Sequence, residues 1–207
     1  MGHRFAELAF TPAVQALQER DGSRRSYARM EGGDDNHHLL GERETAFIAA
    51  RDSFYMSTVG ESGWPYVQHR GGPAGFVRAI DERTLAFADF RGNRQFVTTG
   101  NLAGNDRVAL IFMDYPNKAR LKVLGHVRLS EDPEVLAALT VPGYAASVQR
   151  AFLIDIAAFD WNCPQHITQR FTADDVATAV GRLQGRIAEL EAEVAALRQA
   201  GGVGAIS

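Results

Sequence analysis

The sequence predicts a mainly β protein: an antiparallel β-barrel with flanking helices, followed by a C-terminal amphipathic helix. Short β-prone segments alternate with turn residues between residues 53 and 159, and little helix separates them. That arrangement is typical of an antiparallel barrel. From residue 172 onward, apolar residues recur at steps of four and three, and this spacing is typical of a helix with one narrow apolar face.

Two short helices are predicted ahead of the barrel, in an N-terminal segment (1–52) that packs on it. In the first, Pro12 follows Thr11, and proline is favoured at the first position of a helix. Residues 42–51 form the second helix. The polar, glycine-containing stretch 21–41 between them predicts a loop.

The barrel domain is predicted at 53–173. Its strands share alternating apolar and polar residues bounded by turns. They are residues 53–60, 64–69, 75–80, 84–88, 108–112, 120–130 and 151–159. In the clearest of them, 120–130, one face is apolar and the other is basic. The apolar set is Leu121, Val123, Val127 and Leu129, and the basic set is Arg120, Lys122, His126 and Arg128. A solvent-facing side of an antiparallel sheet would also explain the basic face.

A basic turn lies between the fourth predicted strand and the helix that follows it. Gly92 allows a sharp turn, and Asn93 is a good N-cap for a helix that runs to about Leu102. Arg91 and Arg94 flank the helix start. A helix N-terminus carries unpaired N–H groups and partial positive charge, so this turn suits a phosphate. The alternative is a solvated basic turn.

Positive charge is concentrated in the middle of the chain. Residues 66–128 carry 10 basic and 5 acidic groups, a net charge of +5, although the whole chain has a net charge of −3. This middle region is therefore the part expected to attract anions. Because the whole chain is acidic and lacks basic clusters interleaved with aromatic residues, a nucleic-acid partner is not expected.

Composition also predicts the compartment and argues against a metal site. No apolar run approaches the roughly 20 residues of a membrane span, and the N-terminus lacks the pattern of a secretion signal. A single cysteine, Cys163, cannot form an internal disulfide, which fits a reducing cytoplasm. With one cysteine and scattered histidines, of which only His37 and His38 are adjacent, no metal site is expected.

The segment after the last predicted strand is compact, polar and aromatic. It runs from Trp161 to His166 (WNCPQH). This segment would cap a pocket, or it would form a rigid loop with Trp161 as a packing anchor. Cys163 has little support as a nucleophile, because no base with a third orienting group is evident nearby.

The C-terminal region (174–207) is predicted as one long helix that ends at Gly201-Gly202, followed by a flexible end. Thr172 and Asp175 resemble a capping box with Asp in place of Glu. The apolar residues that follow occupy a and d positions of three heptads: Val176, Val180, Leu183, Ile187, Leu190, Val194 and Leu197. Two interpretations stay open, a coiled-coil tail for dimerisation and an amphipathic helix packed on its own domain.

Beyond these patterns, residues 53–171 resemble a known family. The resemblance is carried by the runs VQHRGGPAGFVRAIDERTLAFADFRGNRQFVTTGNL, RVALIFMDY and KARLKVLGHVRLS. They are similar to the pyridoxamine 5′-phosphate oxidase-like flavoproteins, which are FMN-binding split-barrel proteins. The uncharacterised flavin-nucleotide-binding members look closer than the true oxidase, whose substrate-phosphate residues near the C-terminus have no clear match.

The resemblance implies FMN at the interface of a homodimer. The family's Ser-Arg-Lys element at the helix start, which holds the phosphate, matches Asn93-Arg94-Gln95. Gln95 lacks the charge of the lysine, and Arg91 would compensate for it. The upstream basic partner of the phosphate falls at Arg70 or Arg78, and the sequence leaves both open.

Further contacts to the flavin are implied by the same resemblance. Ala88 and Asp89 would lie near the ribityl chain or the ring edge. The remaining implied positions are Arg120 and Lys122 from the strand, and Trp161, Gln165 and His166 from the C-terminal segment.

The implied activity is that of an FMN-dependent oxidoreductase that transfers hydride through flavin N5 to or from a small-molecule substrate or electron donor. No catalytic side chain is named by the sequence. The alternatives are a non-catalytic flavin carrier or sensor, and a split barrel that binds deazaflavin F420 or haem.

Overall fold

The computed structural model describes residues 3–32 and 37–202. The helices are α1 Arg4–Ala9, α2 Pro12–Arg20, α3 Arg24–Glu31, α4 Glu42–Ala49, α5 Val97–Gly104, α6 Pro133–Ala138 and α7 Ala173–Gly202. The strands are β1 Ser53–Val59, β2 Pro65–Gly71, β3 Val77–Ala79, β4 Thr84–Phe90, β5 Arg107–Asp114, β6 Ala119–Ser130 and β7 Val148–Trp161. The chain divides into two compact units, residues 1–114 with 118–167, and residues 115–117 with 168–207.

The seven strands form one antiparallel sheet in the order β2-β1-β5-β6-β7-β4-β3. The sheet curls into an open barrel, so that β2 and β3 are its two edges. Alternate residues of β1 and β5 are buried, because side chains of a strand point alternately to the two faces. The predicted mainly β fold with flanking helices is confirmed.

An aromatic cluster fills the concave side of the sheet. Phe54 of β1 stacks on Phe112 with ring centroids 5.0 Å apart and on Phe76 with centroids 5.9 Å apart, and it meets Phe87 edge-on at 5.2 Å. All four rings are buried. Since the four residues come from separate segments of the chain, this cluster holds the curvature of the sheet.

The stretch 21–41, predicted as a loop, contains the helix α3, so that prediction is wrong for residues 24–31. The first and last residues of the helix are in contact, because Arg24 donates two hydrogen bonds to the Glu31 carboxylate at 2.9 and 2.7 Å. These hydrogen bonds hold the pKa of Glu31 below its usual value. Tyr27 also meets the Phe10 ring edge-on at 5.2 Å. Contacts between residues seven and more apart are not visible in local composition.

The helix α4 contacts the barrel through two polar side chains. Arg51, just after the helix, forms an ion pair with the buried Asp114 of β5 at 2.9 Å, and it donates a hydrogen bond to the Met113 carbonyl. Glu44 accepts a hydrogen bond from Trp161 Nε1 at 2.7 Å. Both contacts lie within the first compact unit.

A β-bulge interrupts the pairing of β6 and β7 between Leu124 and Gly125. A Cβ at position 125 would lie 2.8 Å from the Asp155 carbonyl oxygen and 2.8 Å from Ile154 Cγ2. Real Cβ atoms do not approach backbone so closely, so glycine is required at this bulge. The apolar face predicted for β6 is buried at Leu121, Val123 and Val127 but not at Leu129, which is exposed.

Replacing Gly125 with alanine is expected to lower the free energy of unfolding by about 1–3 kcal/mol, because the new methyl group must push β7 aside. Urea denaturation measures this loss. Gly100 is the control, because it lies inside α5 with no neighbouring atom within 4 Å of the place that its Cβ would occupy. Gly100→Ala should therefore be neutral or slightly stabilising, and equal losses at both positions would contradict the close contact at Gly125.

None of the helices in the described part of the chain is both long enough and apolar enough to cross a membrane.

The predicted capping box of α7 is present: Asp175 accepts a hydrogen bond from the Thr172 backbone N–H at 2.9 Å, and Thr172 Oγ1 accepts one from the Asp175 backbone N–H at 3.1 Å.

Candidate functional site

The connection between β4 and α5 has a shape that the sequence did not predict. The helix begins at Val97 and not at Asn93, because Arg94 and Phe96 adopt left-handed backbone angles, with φ of 61° and 54°. Such angles cannot continue a right-handed helix. Asn93 does not cap the helix; its side-chain oxygen accepts a hydrogen bond from the Gln95 backbone N–H at 3.2 Å.

No side chain caps the start of α5. The first intrahelical hydrogen bond of this helix is donated by Gly100 to the Phe96 carbonyl, so the N–H groups of the first turn lack intrahelical partners. Such a terminus presents donors and partial positive charge to an anion.

A cleft of about 70 Å³ opens beside this helix start. Its walls come from β2, from the end of β4, from the β4–α5 connection with the first turn of α5, and from β7. The lining residues are Tyr66, Gln68, Arg70, Asp89, Phe90, Gly92, Asn93, Arg94, Gln95, Phe96, Val97, Thr98, Thr99 and Gln149.

Two arginines share the carboxylate of Asp89; Arg70 lines the cleft with Asp89, and Arg150 lies behind them. Arg70 Nη1 donates a hydrogen bond to Asp89 at 2.8 Å, and Arg150 Nε lies 3.5 Å from the other carboxylate oxygen. All three side chains are less than a fifth exposed. Because two guanidiniums face one carboxylate, the group keeps a net positive charge in a mostly buried place. The Nε atoms of Arg70 and Arg150 are buried and make no hydrogen bond.

The contact between Arg70 and Asp89 spans the open side of the barrel. Arg70 belongs to the edge strand β2, and Asp89 belongs to β4 near the opposite edge. The guanidinium also lies over the Phe152 ring, 4.9 Å from its centroid. This packing fixes the orientation of the guanidinium, and the curl of the sheet therefore creates the site.

Polar contacts hold α5 against β1 and β2. Thr98 Oγ1 is buried and donates a hydrogen bond to Gln68 Oε1 at 2.7 Å. Asn101 Nδ2 donates one to Thr58 Oγ1 at 2.9 Å. The helix start is therefore held at a defined place relative to the arginines.

Arg150 is the residue that sequence reasoning missed. The predicted last strand began at residue 151, whereas β7 begins at Val148, and Arg150 pairs directly with Asp89 across the β4–β7 ladder. The only feature of the local sequence that could have indicated a role for Arg150 is its position as a basic residue just before an apolar strand. Its significance depends on the strand register, which the sequence does not show.

The predicted phosphate residues fall into two sets. Arg70, Asn93, Arg94 and Gln95 line the cleft, together with Asp89, which was predicted near the ribityl chain or ring edge. Arg78 does not reach it; its guanidinium donates hydrogen bonds to the carbonyl oxygens of Ala138 and Thr140, at the end of α6.

Two further predicted residues lie beside the cleft without lining it. Ala88 is buried in a small apolar cluster with residues of α6 and β7. Arg91 is exposed, and its backbone N–H donates a hydrogen bond to the Ser147 carbonyl at 2.9 Å.

Within one chain, the predicted residues of β6 and of the C-terminal segment are not brought to the cleft. Lys122 lines a separate apolar hollow formed by β1, β2, β5 and β6 together with Phe5 of α1. Arg120 lies near the start of β6, and its Nε is buried without a hydrogen bond. Trp161 packs edge-on against Phe47 with ring centroids 4.7 Å apart, as the packing-anchor alternative predicts.

Residues 163–166 are exposed. Gln165 and His166 are exposed, and His166 has a left-handed φ of 63°. Cys163 is also exposed. In the described part of the chain, no three His, Cys, Asp or Glu side chains come together as a metal site would require.

Comparison with known families identifies the fold and its relatives. The family model described as pyridoxamine 5′-phosphate oxidase matches residues 40–167, which include the whole sheet and α5. The chain belongs to the pyridoxamine 5′-phosphate oxidase family. The cleft at the start of α5 therefore lies inside the family domain. No curated protein matches the sequence.

Solved structures similar to this member of the family share little sequence with it. HupZ from Group A Streptococcus is 13% identical, covers 64% of this chain and 100% of its own, and superposes with a TM-score of 0.50. An FMN-binding protein from Syntrophomonas wolfei is 12% identical, with coverages of 70% and 97% and a TM-score of 0.49. A Clostridium acetobutylicum protein of the pyridoxinephosphate oxidase family is 16% identical, with coverages of 65% and 94% and a TM-score of 0.45. At these identities the likeness concerns the fold alone.

Proposed function

We propose that this protein binds FMN, with the phosphate at the start of α5, and acts as an FMN-dependent oxidoreductase on a small-molecule substrate or electron donor. The observation that carries the proposal is the surplus positive charge of Arg70 and Arg150 around Asp89, beside an uncapped helix N-terminus. Family membership supplies the expectation of a flavin.

The residues of the cleft fit a phosphate. A phosphate accepts charge-assisted hydrogen bonds from guanidinium groups and from the N–H groups of a helix start, and both lie here. Arg94, which matches the arginine of the family's Ser-Arg-Lys element, is exposed and lines the cleft, so its guanidinium is available to the phosphate. The Asp89 carboxylate reduces the attraction of the cleft for a phosphate, but it offsets only one of these positive charges.

The size of the cleft supports a site completed by a second subunit. Its volume of about 70 Å³ is well below the roughly 300–1,000 Å³ of a pocket that encloses a ligand of drug size. One chain can therefore hold the phosphate end, and the rest of the nucleotide needs another wall. A homodimer interface would supply that wall.

The outer face of the sheet is suited to such an interface. Val67 and Tyr55 are exposed there, at 61% and 41%, around the hollow that Lys122 lines. Contiguous exposed apolar surface of this kind marks interaction sites. In the proposed homodimer, Lys122 and Arg120 would place positive charge near the flavin bound by the partner subunit.

Each part of the chain has a separate role in the proposed reaction. When bound, FMN supplies hydride transfer at N5, which no side chain can perform. Arg70 and the α5 start would hold the phosphate, Arg150 would add positive charge from behind Asp89, and the left-handed turn at Arg94 and Phe96 aims the helix at the phosphate. Lys122 would stabilise negative charge on the ring. No general acid or base is assigned.

Titration with two flavins tests the proposal. FMN should bind at least about 100-fold more tightly than riboflavin, which lacks the phosphate, because two or more charge-assisted hydrogen bonds are lost with it. An absorption spectrum of the purified protein, with mass identification of the released ligand, checks which cofactor is carried. Equal binding of both flavins would contradict the phosphate site. A deazaflavin or haem spectrum would overturn the choice of FMN, and bound FMN that no nicotinamide donor reduces would indicate a carrier or sensor.

A further inference from the structure

The helix α7 carries an apolar seam that faces solvent. It is one continuous helix of 30 residues, Ala173–Gly202, about 45 Å long at 1.5 Å per residue. All seven seam residues are exposed by 42–65% of their surface. They are Val176, Val180, Leu183, Ile187, Leu190, Val194 and Leu197. In proteins most of the stability of a helix comes from packing of its apolar face, and here that face is uncovered.

The residue types along the seam differ between its two heptad positions. The a positions are Val180, Ile187 and Val194, all of which are β-branched. Of the four d positions, three are leucine: Leu183, Leu190 and Leu197. β-branched residues at a with leucine at d favour two parallel strands over three or four. Among parallel coiled coils, the seam therefore predicts a two-stranded one.

Charges beside the seam agree with a parallel partner of the same sequence. In a parallel pair each g residue faces the e residue of the next heptad on the other helix. Arg186 at g would face Glu191 of the partner subunit, and Glu193 at g would face Arg198 of the partner subunit. Both pairs are attractive, and two-fold symmetry repeats each of them.

The two glycines of the helix lie away from the seam. Gly181 occupies a b position and Gly185 an f position, and no atom lies within 4 Å of where their Cβ would be. They lower helix propensity without leaving gaps between the helices. This placement is expected of a helix whose apolar seam packs against a partner helix and whose opposite face remains in solvent.

We infer that α7 pairs with α7 of a second copy of this chain, as a parallel, in-register, two-stranded coiled coil. An antiparallel pair would bring a residues against d residues in every layer. All layers would then have the same composition, and placing β-branched residues at a and leucine at d would not produce two kinds of layer. The inference does not depend on flavin binding, since it uses only residues of α7.

Cysteine cross-linking in the full-length protein tests this pairing. In a Cys163→Ser background, Leu183→Cys at a d position should form disulfide-linked dimers at least about tenfold faster than Ala192→Cys at an f position, because d residues of a parallel pair lie within disulfide distance. No excess over Ala192→Cys would overturn the inference. Faster cross-linking in a mixture of Leu183→Cys and Val194→Cys chains, which would meet in an antiparallel pair, would also overturn it.

A charge substitution with a matched control provides a second test. Arg186 makes an ion pair with Glu189 of its own helix at 2.9 Å, so Arg186→Gln and Glu189→Gln both remove that contact. Only Arg186→Gln removes the contact with the partner subunit as well. It should slow Leu183→Cys cross-linking about two- to fivefold more than Glu189→Gln does. Equal effects of the two variants would contradict the proposed register.

Discussion

Replacing Arg70 with methionine is expected to weaken FMN binding about 10- to 100-fold. The substitution removes one or two charge-assisted hydrogen bonds to the phosphate, and it removes the surplus positive charge, because Asp89 then only balances Arg150. Arg70 is mostly buried and rests on Phe152, so the guanidinium is already oriented before a ligand arrives. Fluorescence titration with FMN measures the change.

Riboflavin provides the internal control for this variant. Because riboflavin has no phosphate, its affinity should change little in Arg70→Met, whereas a variant that merely unfolds would lose both ligands. Arg70→Lys should give an intermediate loss, since an ammonium keeps the charge but not the forked geometry. Arg107→Met, which removes an exposed arginine of β5 outside the cleft, should bind FMN normally. A parallel loss of FMN and riboflavin in Arg70→Met would contradict the assigned role.

Replacing Phe54 with alanine is expected to lower the free energy of unfolding by about 3–5 kcal/mol. The Phe54 ring contacts Phe76, Phe87 and Phe112, so its removal leaves a cavity between strands from both halves of the sheet. Such a loss is a large part of the stability of an ordinary domain. The midpoint of urea denaturation, followed by circular dichroism without added flavin, measures it.

An exposed residue controls for the loss of apolar surface. Ile80 lies just after β3 with 56% of its surface exposed, and Ile80→Ala should change the free energy of unfolding by no more than about 0.5 kcal/mol. Phe54→Leu should lie between the two, because it removes less volume. A small loss in Phe54→Ala would mean that the aromatic cluster does not hold the curled sheet.

The positions of the strands along the chain, and those of most helices, follow from local sequence, whereas the order of the strands in the sheet does not. Strand alternation located all seven strands, because the two faces of each strand meet different environments. The predicted strand boundaries were less accurate where a strand continues past its apolar run, as in β7, Val148–Trp161. Local composition does not predict helix α3, because the contacts that hold it, Arg24 with Glu31 and Tyr27 with Phe10, join residues 7 and 17 positions apart.

The candidate site was predicted in outline but not in its central group. The basic turn, Arg94 and Asp89 were singled out from the sequence, and they line the cleft. Arg70 and Arg78 were indistinguishable on that basis, since both are arginines in β-prone segments ahead of the turn. The structure places Arg70 in the cleft and Arg78 at the end of α6.

By itself, the sequence determined the family, the mainly β architecture, the capped start of α7 and its heptad pattern, because each depends on residues close together in the chain. Only the tertiary structure decided which side chains meet at the cleft. Arg70 and Asp89 meet because the sheet curls until its edges approach, and Arg150 joins them through the register of β7 on β4. Neither the curl nor the register is a local property, since both depend on how distant strands pack around the core.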